Sequence, residues 1–273
     1  MRLDVIIPTK NCAADLSRCL ESLRYQVEPV RVIVVDGRST DATREVAELY
    51  GAEVYTEPPS EVKGSRRAVA CNEGLRHVEG KYVAFLDADT VIPPTWSRDM
   101  ARALDWVQPT GVGVTTGCTP SDSPYAKIME LGSPNHAKRF TQYTPLTSLP
   151  GYNSAYIADT IREVGGFCEE LGGCEDFELN MRLRKAGYWL YGVPGAPVNH
   201  VERRTPEAWR KQVHGYGWSR GRLLRVKRQF TPQHSIPMFM LPLTAPMRLL
   251  FRNNSLLDFL VEWGVGYAKG LLN

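Results

Sequence analysis

Over its first 120 residues the chain alternates short apolar, β-branched runs with segments of helical period, and that alternation leaves few architectures open. The strand-like runs are LDVIIPT (3–9), RVIVVD (31–36), AEVYT (52–56), YVAFLD (82–87) and GVGVTT (111–116). Between the first four stand ADLSRCLESLRYQ, DATREVAELYG and GSRRAVACNEGLRHVEG, each predicting a helix. In the last, Val69, Leu75 and Val78 keep roughly helical spacing and Gly80 closes it; in the second, Asp41 is the expected N-cap. The β-α-β-α-β order predicts an α/β fold: an open, mostly parallel sheet with helices on both faces. Ligands of such sheets sit beyond the C-terminal strand ends.

After Gly117 the rhythm breaks into loops carrying Pro120, Pro124, Pro134, Pro145 and Pro150, around one short helical stretch near 124–140. LPGYNSAYIA (149–158) reads as a loop entering a strand. A glycine-rich loop then leads into a helix from about Glu175 to Ala186, closed by Gly187. Two phosphate-binding signatures are missing. IPTKNCA stands where a G-x-G-x-x-G would follow the first strand, and no G-x-x-x-x-G-K-[ST] occurs. Dehydrogenase and P-loop chemistry are therefore disfavoured.

At 273 residues, 43% hydrophobic and 23% charged, the chain suits one large globular domain with an appendage. No run of about 18 or more apolar residues predicts a membrane span. No signal peptide is expected, since a strand begins almost at once. Cys12, Cys19, Cys71, Cys118, Cys168 and Cys174 show neither C-x-x-C pairing nor zinc spacing, and predict reduced thiols in a cytoplasmic protein. Charge is uneven: residues 200–273 hold 12 Lys and Arg against 4 Asp and Glu, the rest 21 against 26. The basic tail predicts either a phosphate-bearing or anionic-membrane partner, or a solvated helix face.

Chemistry concentrates where acids meet strand ends. Asp87 and Asp89, separated by Ala88, close the run YVAFLD. Carboxylate oxygens are hard ligands suited to Mg²⁺ or Mn²⁺, and a turn at Ala88 lets Asp89 reach a metal while Asp87 faces a ribose or a metal-bound water. Acid pairs at strand ends also cap loops. Asp36 ends the second strand in VVDGRSTD, either accepting a base imide N–H or making an Asp-Gly turn. Glu175 and Asp176 open a helix, where its dipole stabilises acids and where a carboxylate can also act as general base.

In order, DVIIPTKN, VVDGRSTD, GKYVAFLDADT, VGGFCEELGGCEDFELNMRLRKAGY and PVNH resemble the family 2 inverting glycosyltransferases of the GT-A fold, over roughly residues 3–201. The resemblance implies sugar transfer from a nucleotide-diphosphate donor, a UDP-sugar, to an acceptor hydroxyl, with inversion and a divalent cation, Mn²⁺ or Mg²⁺. Pro8 and Thr9 would line the nucleotide pocket and Asp36 would bind the base. Asp87, Ala88 and Asp89 match the DxD motif, with His200 of PVNH as a further metal ligand. Asp176 matches the general base of the ED motif, with Glu175 and Asn153 on the acceptor side. Arg66 or Arg67 either meets the diphosphate or lies on a solvated helix face. Two departures stand out. Cys71-Asn72 occupies the place of an Arg-Asn pair, and the Q-x-x-R-W element of processive synthases is absent. HGYGWSRGR (214–222) offers His214, Trp218, Arg220 and Arg222 either as a flap over the diphosphate or as a helix with packed aromatics.

These matches divide the chain into a donor-binding half (1–117), an acceptor and catalytic-base half of the same domain (118–201), and a basic amphipathic helical extension (202–273). In the extension SIPMFMLPLTAPMRLLF (235–251) is broken by prolines, and Leu256, Phe259, Leu260, Trp263 and Tyr267 share one helical face. That face predicts a peripheral contact at the cytoplasmic membrane surface beside a lipid-linked or glycan acceptor, or packing on the core or in a homodimer. No nucleic-acid partner is expected. The rival functions are a polyprenyl-phosphate hexose synthase, whose phosphate acceptor needs no strong base, a nucleotidyltransferase, and a non-catalytic sugar-nucleotide-binding scaffold.

Overall fold

The computed structural model describes residues 3–60, 66–119, 139–200, 205–228, 242, 244 and 255–272. They fall into two compact units. The larger holds residues 3–119, 139–169 and 175–200 of those described; the smaller holds 170–174, 205–228 and 255–272. The helical stretch expected near 124–140 lies almost wholly outside the described residues, and so does nearly all of 235–251.

The larger unit is an eight-stranded sheet with helices on both faces. Its strands are β1 (Leu3–Thr9), β2 (Arg31–Asp36), β3 (Glu53–Thr56), β4 (Tyr82–Leu86), β6 (Gly111–Thr115), β7 (Thr144–Leu146), β8 (Asn153–Ile157) and β9 (Trp189–Gly192). Their order is β3-β2-β1-β4-β8-β6-β9-β7. A separate two-stranded ladder pairs β5 (Thr90–Val91) with β10 (Asn199–His200). The four strands read from the first 90 residues form the parallel half. Beyond β4 the sheet is mixed: β8 runs antiparallel between β4 and β6, β9 is parallel to β6, and β7 is antiparallel to β9 at the edge.

Strand side chains alternate between faces, so each apolar run feeds two cores. Val5, Ile7, Val34, Ala84 and Leu86 pack against α1 (Ala13–Arg24), α2 (Thr43–Leu49) and α4 (Trp96–Val107). Ile6, Ile33, Val35, Val83 and Phe85 meet α3 (Arg66–Arg76), α5 (Ala158–Glu163) and α6 (Glu175–Lys185). Burial is nearly complete in both cores, and at about 25 cal/mol per Å² it is the dominant favourable term. Helix α4 was not among the helices expected, although Trp96, Met100, Leu104 and Val107 are buried at helical spacing. The N-cap expectation at Asp41 shifts by one residue. Ala42 holds the cap position of α2, and the Asp41 carboxylate takes the amides of Thr43 (3.1 Å) and of Ala13 (3.3 Å), so it serves the first turns of both α1 and α2.

The smaller unit is built on α7 (Pro206–Lys227) and α8 (Ser255–Leu272). Thr205 caps α7 by accepting from the Ala208 amide at 3.2 Å. The helices meet through glycines. A Cβ at Gly217 would lie 2.0 Å from the carbonyl oxygen of Trp263, and one at Gly221 2.0 Å from that of Tyr267. Gly266 and Gly270 return the relation against His214 and Trp218, and the matched numbers rise together, so the helices run parallel. Phe259 and Trp263 bury against Trp209 and Val213, and Tyr267 is buried too. The face expected either to meet a membrane or to pack within the protein thus packs on α7 through Phe259, Trp263 and Tyr267, with Leu256 exposed. Among the described residues no helix is long and apolar enough to cross a membrane.

Candidate active site

The loops after β1 and β2 are stitched together. Thr9 pairs in register with Asp36, and its hydroxyl donates to the Val35 carbonyl at 3.4 Å. Asp36 is buried; it accepts from the Ser39 hydroxyl (2.5 Å) and amide (3.2 Å), an Asx-type turn where an Asp-Gly turn was one of the two expectations. Ser39 in turn accepts from the Asn11 amide, and Asn11 accepts from the Thr40 amide at 2.8 Å. Pro8, half-buried in β1, precedes Thr9 at this edge. Arg66 is committed nearby: it pairs with buried Glu57 at 2.6 Å, and the Glu57 amide donates to the Asp36 carbonyl. Burial raises the Glu57 pKa against the pull of Arg66.

β4 ends at Leu86, and the chain turns at once, with the Thr90 amide donating to the Asp87 carbonyl at 3.1 Å across Ala88 and Asp89. This is the turn expected at Ala88. It brings Asp87 and Asp89 close together at the end of β4. The β5–β10 ladder puts His200 opposite Thr90, one residue beyond Asp89. One ligand atom each from Asp87, Asp89 and His200 lie within 4.8 Å of one another, and His200 Nε2 is 3.3 Å from Asp89 Oδ1. Tyr152 stacks on the His200 ring at 4.5 Å. Two carboxylates and an imidazole form a donor set that fits a divalent cation of the Mn²⁺ or Mg²⁺ kind.

Arg67 links this set to the acid helix. Its Nη2 and Nε donate to Asp87 Oδ1 at 2.9 and 3.1 Å, its Nη1 to Glu175 Oε1 at 3.0 Å, and its Nη2 to the Gly151 carbonyl at 2.7 Å. Burial works against its charge, but Asp87, Cys71 and Glu175 hold its pKa well above the ordinary value. Burial raises the Glu175 pKa, with Arg67 opposing and Asp176 adding to the rise. Burial also pushes the Cys71 thiol up to about 12, beside an arginine that favours ionisation. Both Asp176 oxygens accept backbone amides, Oδ2 from Gly151 at 2.9 Å and Oδ1 from Phe177 at 2.7 Å. The loop before α6 is held by Asn72, which takes the Phe167 amide and donates to the Phe167 carbonyl and Glu169. Gly166 has φ +68°, and a Cβ there would meet Asn72 Oδ1 at 2.6 Å.

The sequence-predicted residues divide accordingly. Asp87, Asp89 and His200 converge, and Arg67 joins Asp87 to Glu175 and Asp176. Asn153, expected on the acceptor side, is fully buried and serves the scaffold. Its Oδ1 accepts from Trp96 Nε1 at 2.8 Å, and its Nδ2 donates to the Gly117 carbonyl at 2.8 Å and to Thr116. Arg67, expected on the diphosphate or on a solvated helix face, is not on a solvated face but stands at the hub of an ion-pair network. Trp218 and Arg220 lie in α7 of the smaller unit, so the segment read as a flap or a helix is helix. There the Arg222 guanidinium lies 5.6 Å from the centre of the Trp218 ring, and its Nε donates to the Glu170 carbonyl. Gly151 and Tyr152 were not singled out in the sequence. Their one local sign is their position just before β8.

Comparison with known proteins identifies the family and the fold. A family model described as Glycosyl transferase family 2 matches residues 4–165. The pre-mycofactocin glycosyltransferase of Mycobacterium tuberculosis (strain CDC 1551 / Oshkosh) is 31% identical over 224 residues, covering 79% of this chain and 46% of that one. The chain thus spans just under half the length of that relative. The mannosyltransferase PcManGT from Pyrobaculum calidifontis, solved with GDP-Man and Mn²⁺, superposes with a TM-score of 0.68 at 20% identity, covering 97% of this chain and 86% of that one. TarS 1–349 of S. aureus, solved with UDP-GlcNAc, gives 0.59 at 18% identity, covering 100% and 91%. The fold is the GT-A architecture of these neighbours.

Proposed function

Because the chain belongs to glycosyl transferase family 2, we propose that it moves a hexosyl group from a nucleoside-diphosphate sugar to an acceptor hydroxyl, with inversion. The observation that carries this reading is the clustering of Asp87, Asp89 and His200, with Arg67 bonded to Asp87 and, through the Gly151 backbone, connected to Asp176. It lies where the sheet's C-terminal strand ends meet the start of α6, the location expected for a ligand in such a sheet.

In this reading residues 1–117 take the donor. Pro8 and Thr9 flank the base, and Asp36, fixed by Ser39, accepts its imide N–H. Asp87, Asp89 and His200 hold the divalent cation, which when bound supplies Lewis-acid stabilisation of the departing diphosphate. Residues 118–201 supply the base. Each Asp176 oxygen accepts one backbone N–H, which fixes the carboxylate and leaves lone pairs for an incoming proton. Asp176 takes the proton of the acceptor hydroxyl as that oxygen forms its bond to the anomeric carbon and the bond to the nucleoside diphosphate breaks on the opposite face. One displacement inverts the centre, with no covalent enzyme intermediate. The acceptor is a hydroxyl on a glycan or a lipid-linked carrier.

The test is calorimetric titration of UDP and of GDP into the full chain, each with Mn²⁺ and with EDTA. Binding of one nucleotide that needs Mn²⁺ supports the reading and identifies the donor class. Folded protein that binds neither nucleotide overturns it.

A further inference from the structure

We infer that Arg67 is a positioning residue that sets the general base Asp176 relative to the donor-side acid Asp87, acting through the backbone of Gly151. The inference deepens the glycosyltransferase reading and rests on it. One guanidinium makes bonds in three directions: to Asp87, to Glu175 at the first turn of α6, and to the Gly151 carbonyl. The amide of that same Gly151 donates to Asp176. Gly151 therefore has its carbonyl held by Arg67 and its N–H held by the base, in the two peptide groups that flank its Cα. Moving Arg67 moves both ends of a relay that has only one residue in it.

The partners are far apart in sequence. Arg67 reaches 20 residues to Asp87, 84 to Gly151 and 108 to Glu175. The β4–β8 pairing, with Leu86 opposite Asn153, brings the β4 turn beside the loop that carries Gly151, and the Arg67 cross-link adds the ties from Asp87 to that loop and to the start of α6. The side chain is also the wrong shape for a free phosphate-binding arm. Its side-chain exposure is 25%, and all three nitrogens already donate. A lysine cannot replace it, because an ammonium on a flexible stem lacks the rigid fork that faces two carboxylates and a carbonyl at once. Gly151 is matched to it: a Cβ there would lie 3.1–3.2 Å from the guanidinium atoms.

The test uses Arg67→Lys and Gly151→Ala in the full chain. Two quantities are read: the affinity for UDP or GDP with Mn²⁺, and the rate of nucleoside-diphosphate release from UDP-glucose, UDP-N-acetylglucosamine and GDP-mannose, with water as acceptor. Misalignment of about 1 Å costs on the order of 10²-fold in turnover. Both variants are expected to lose about that factor in kcat while donor KM and nucleotide Kd stay within about threefold. Gly151→Ala keeps every charge, so its loss separates alignment from electrostatics. A Kd raised about tenfold or more with kcat unchanged would make Arg67 a diphosphate ligand and overturn the proposal, as would unchanged kcat in both folded variants. Hydrogen exchange at residues 149–153 and 174–178 gives an independent readout: Arg67→Lys is expected to speed exchange at the Gly151 amide, and no change there would sink the relay. If the wild-type chain neither binds nor turns over a nucleotide sugar, the glycosyltransferase reading fails, while the exchange experiment still judges the relay.

Discussion

His200 sits opposite Thr90 across a two-residue ladder, with Tyr152 stacked on its ring and its Nε2 3.3 Å from Asp89. A residue more than a hundred positions downstream of the acid pair is thus locked to it by backbone pairing and an aromatic face. The ladder defines where the imidazole stands before any ligand arrives.

His200→Ala is expected to weaken Mn²⁺-dependent nucleotide binding. Losing a residue that merely supports a metal ligand typically costs about 10–100-fold in metal affinity, so losing the imidazole should cost no less. Tyr152→Leu removes the stacked ring but keeps bulk, and should sit at the low end of that range, about 10-fold. Calorimetry with and without Mn²⁺ checks both. Metal-dependent affinity untouched by His200→Ala would leave the cation to the two carboxylates alone.

Asp176→Asn tests the base. The amide can still accept from Gly151 but cannot take a proton, so release of nucleoside diphosphate should fall by about 10²–10⁴-fold with nucleotide affinity nearly intact. Turnover equal to wild type would remove Asp176 from the role. The same variant separates this reading from a lipid-phosphate acceptor, whose phosphate oxygen needs no strong base.

Asp176 and His200 are residues that sequence alone could find, whereas Tyr152 and the direction of Arg67 are not. β1, β2 and β4 are legible because strands buried on both faces read as continuous apolar runs. The Asp36–Ser39 turn and the acids opening α6 are local, within three residues or one helical turn, so spacing announces them. The edge of the sheet is not legible. β7 is three residues with a proline, tolerated only because it is an edge strand, and β9 is four residues beginning with an exposed tryptophan. Arg67 is identified as an arginine by sequence, but its direction is set by partners up to 108 residues away. Likewise Asn153 looks like an acceptor-side amide until its burial against Trp96 and Gly117 is seen.

Asn153→Ala should therefore be a stability variant. It removes the acceptor of the Trp96 indole N–H and the donor to the Gly117 carbonyl, in a region with no access to water. Leaving a buried donor unsatisfied costs about 1–3 kcal/mol. Denaturant unfolding should show the midpoint lowered with the slope unchanged. A midpoint equal to wild type would mean the indole finds another partner.

In the smaller unit, two glycines two residues apart on α7 should respond in opposite directions. A Cβ at Gly217 meets the Trp263 carbonyl oxygen at 2.0 Å, a backbone atom that cannot swing aside, so Gly217→Ala must push α8 away. Overpacking of that kind typically costs about 1–3 kcal/mol. At Gly215 no described atom lies within 4 Å of the same methyl group. There Ala only removes the glycine's backbone entropy from a helix interior, a gain of about 0.5–1 kcal/mol. Hydrogen exchange read on α8 amides reports both: faster in Gly217→Ala, equal or slower in Gly215→Ala. If the two variants shift exchange in the same direction, the helices are not held by backbone contact at Gly217, and the aromatic cluster of Trp209, Phe259 and Trp263 must hold them instead.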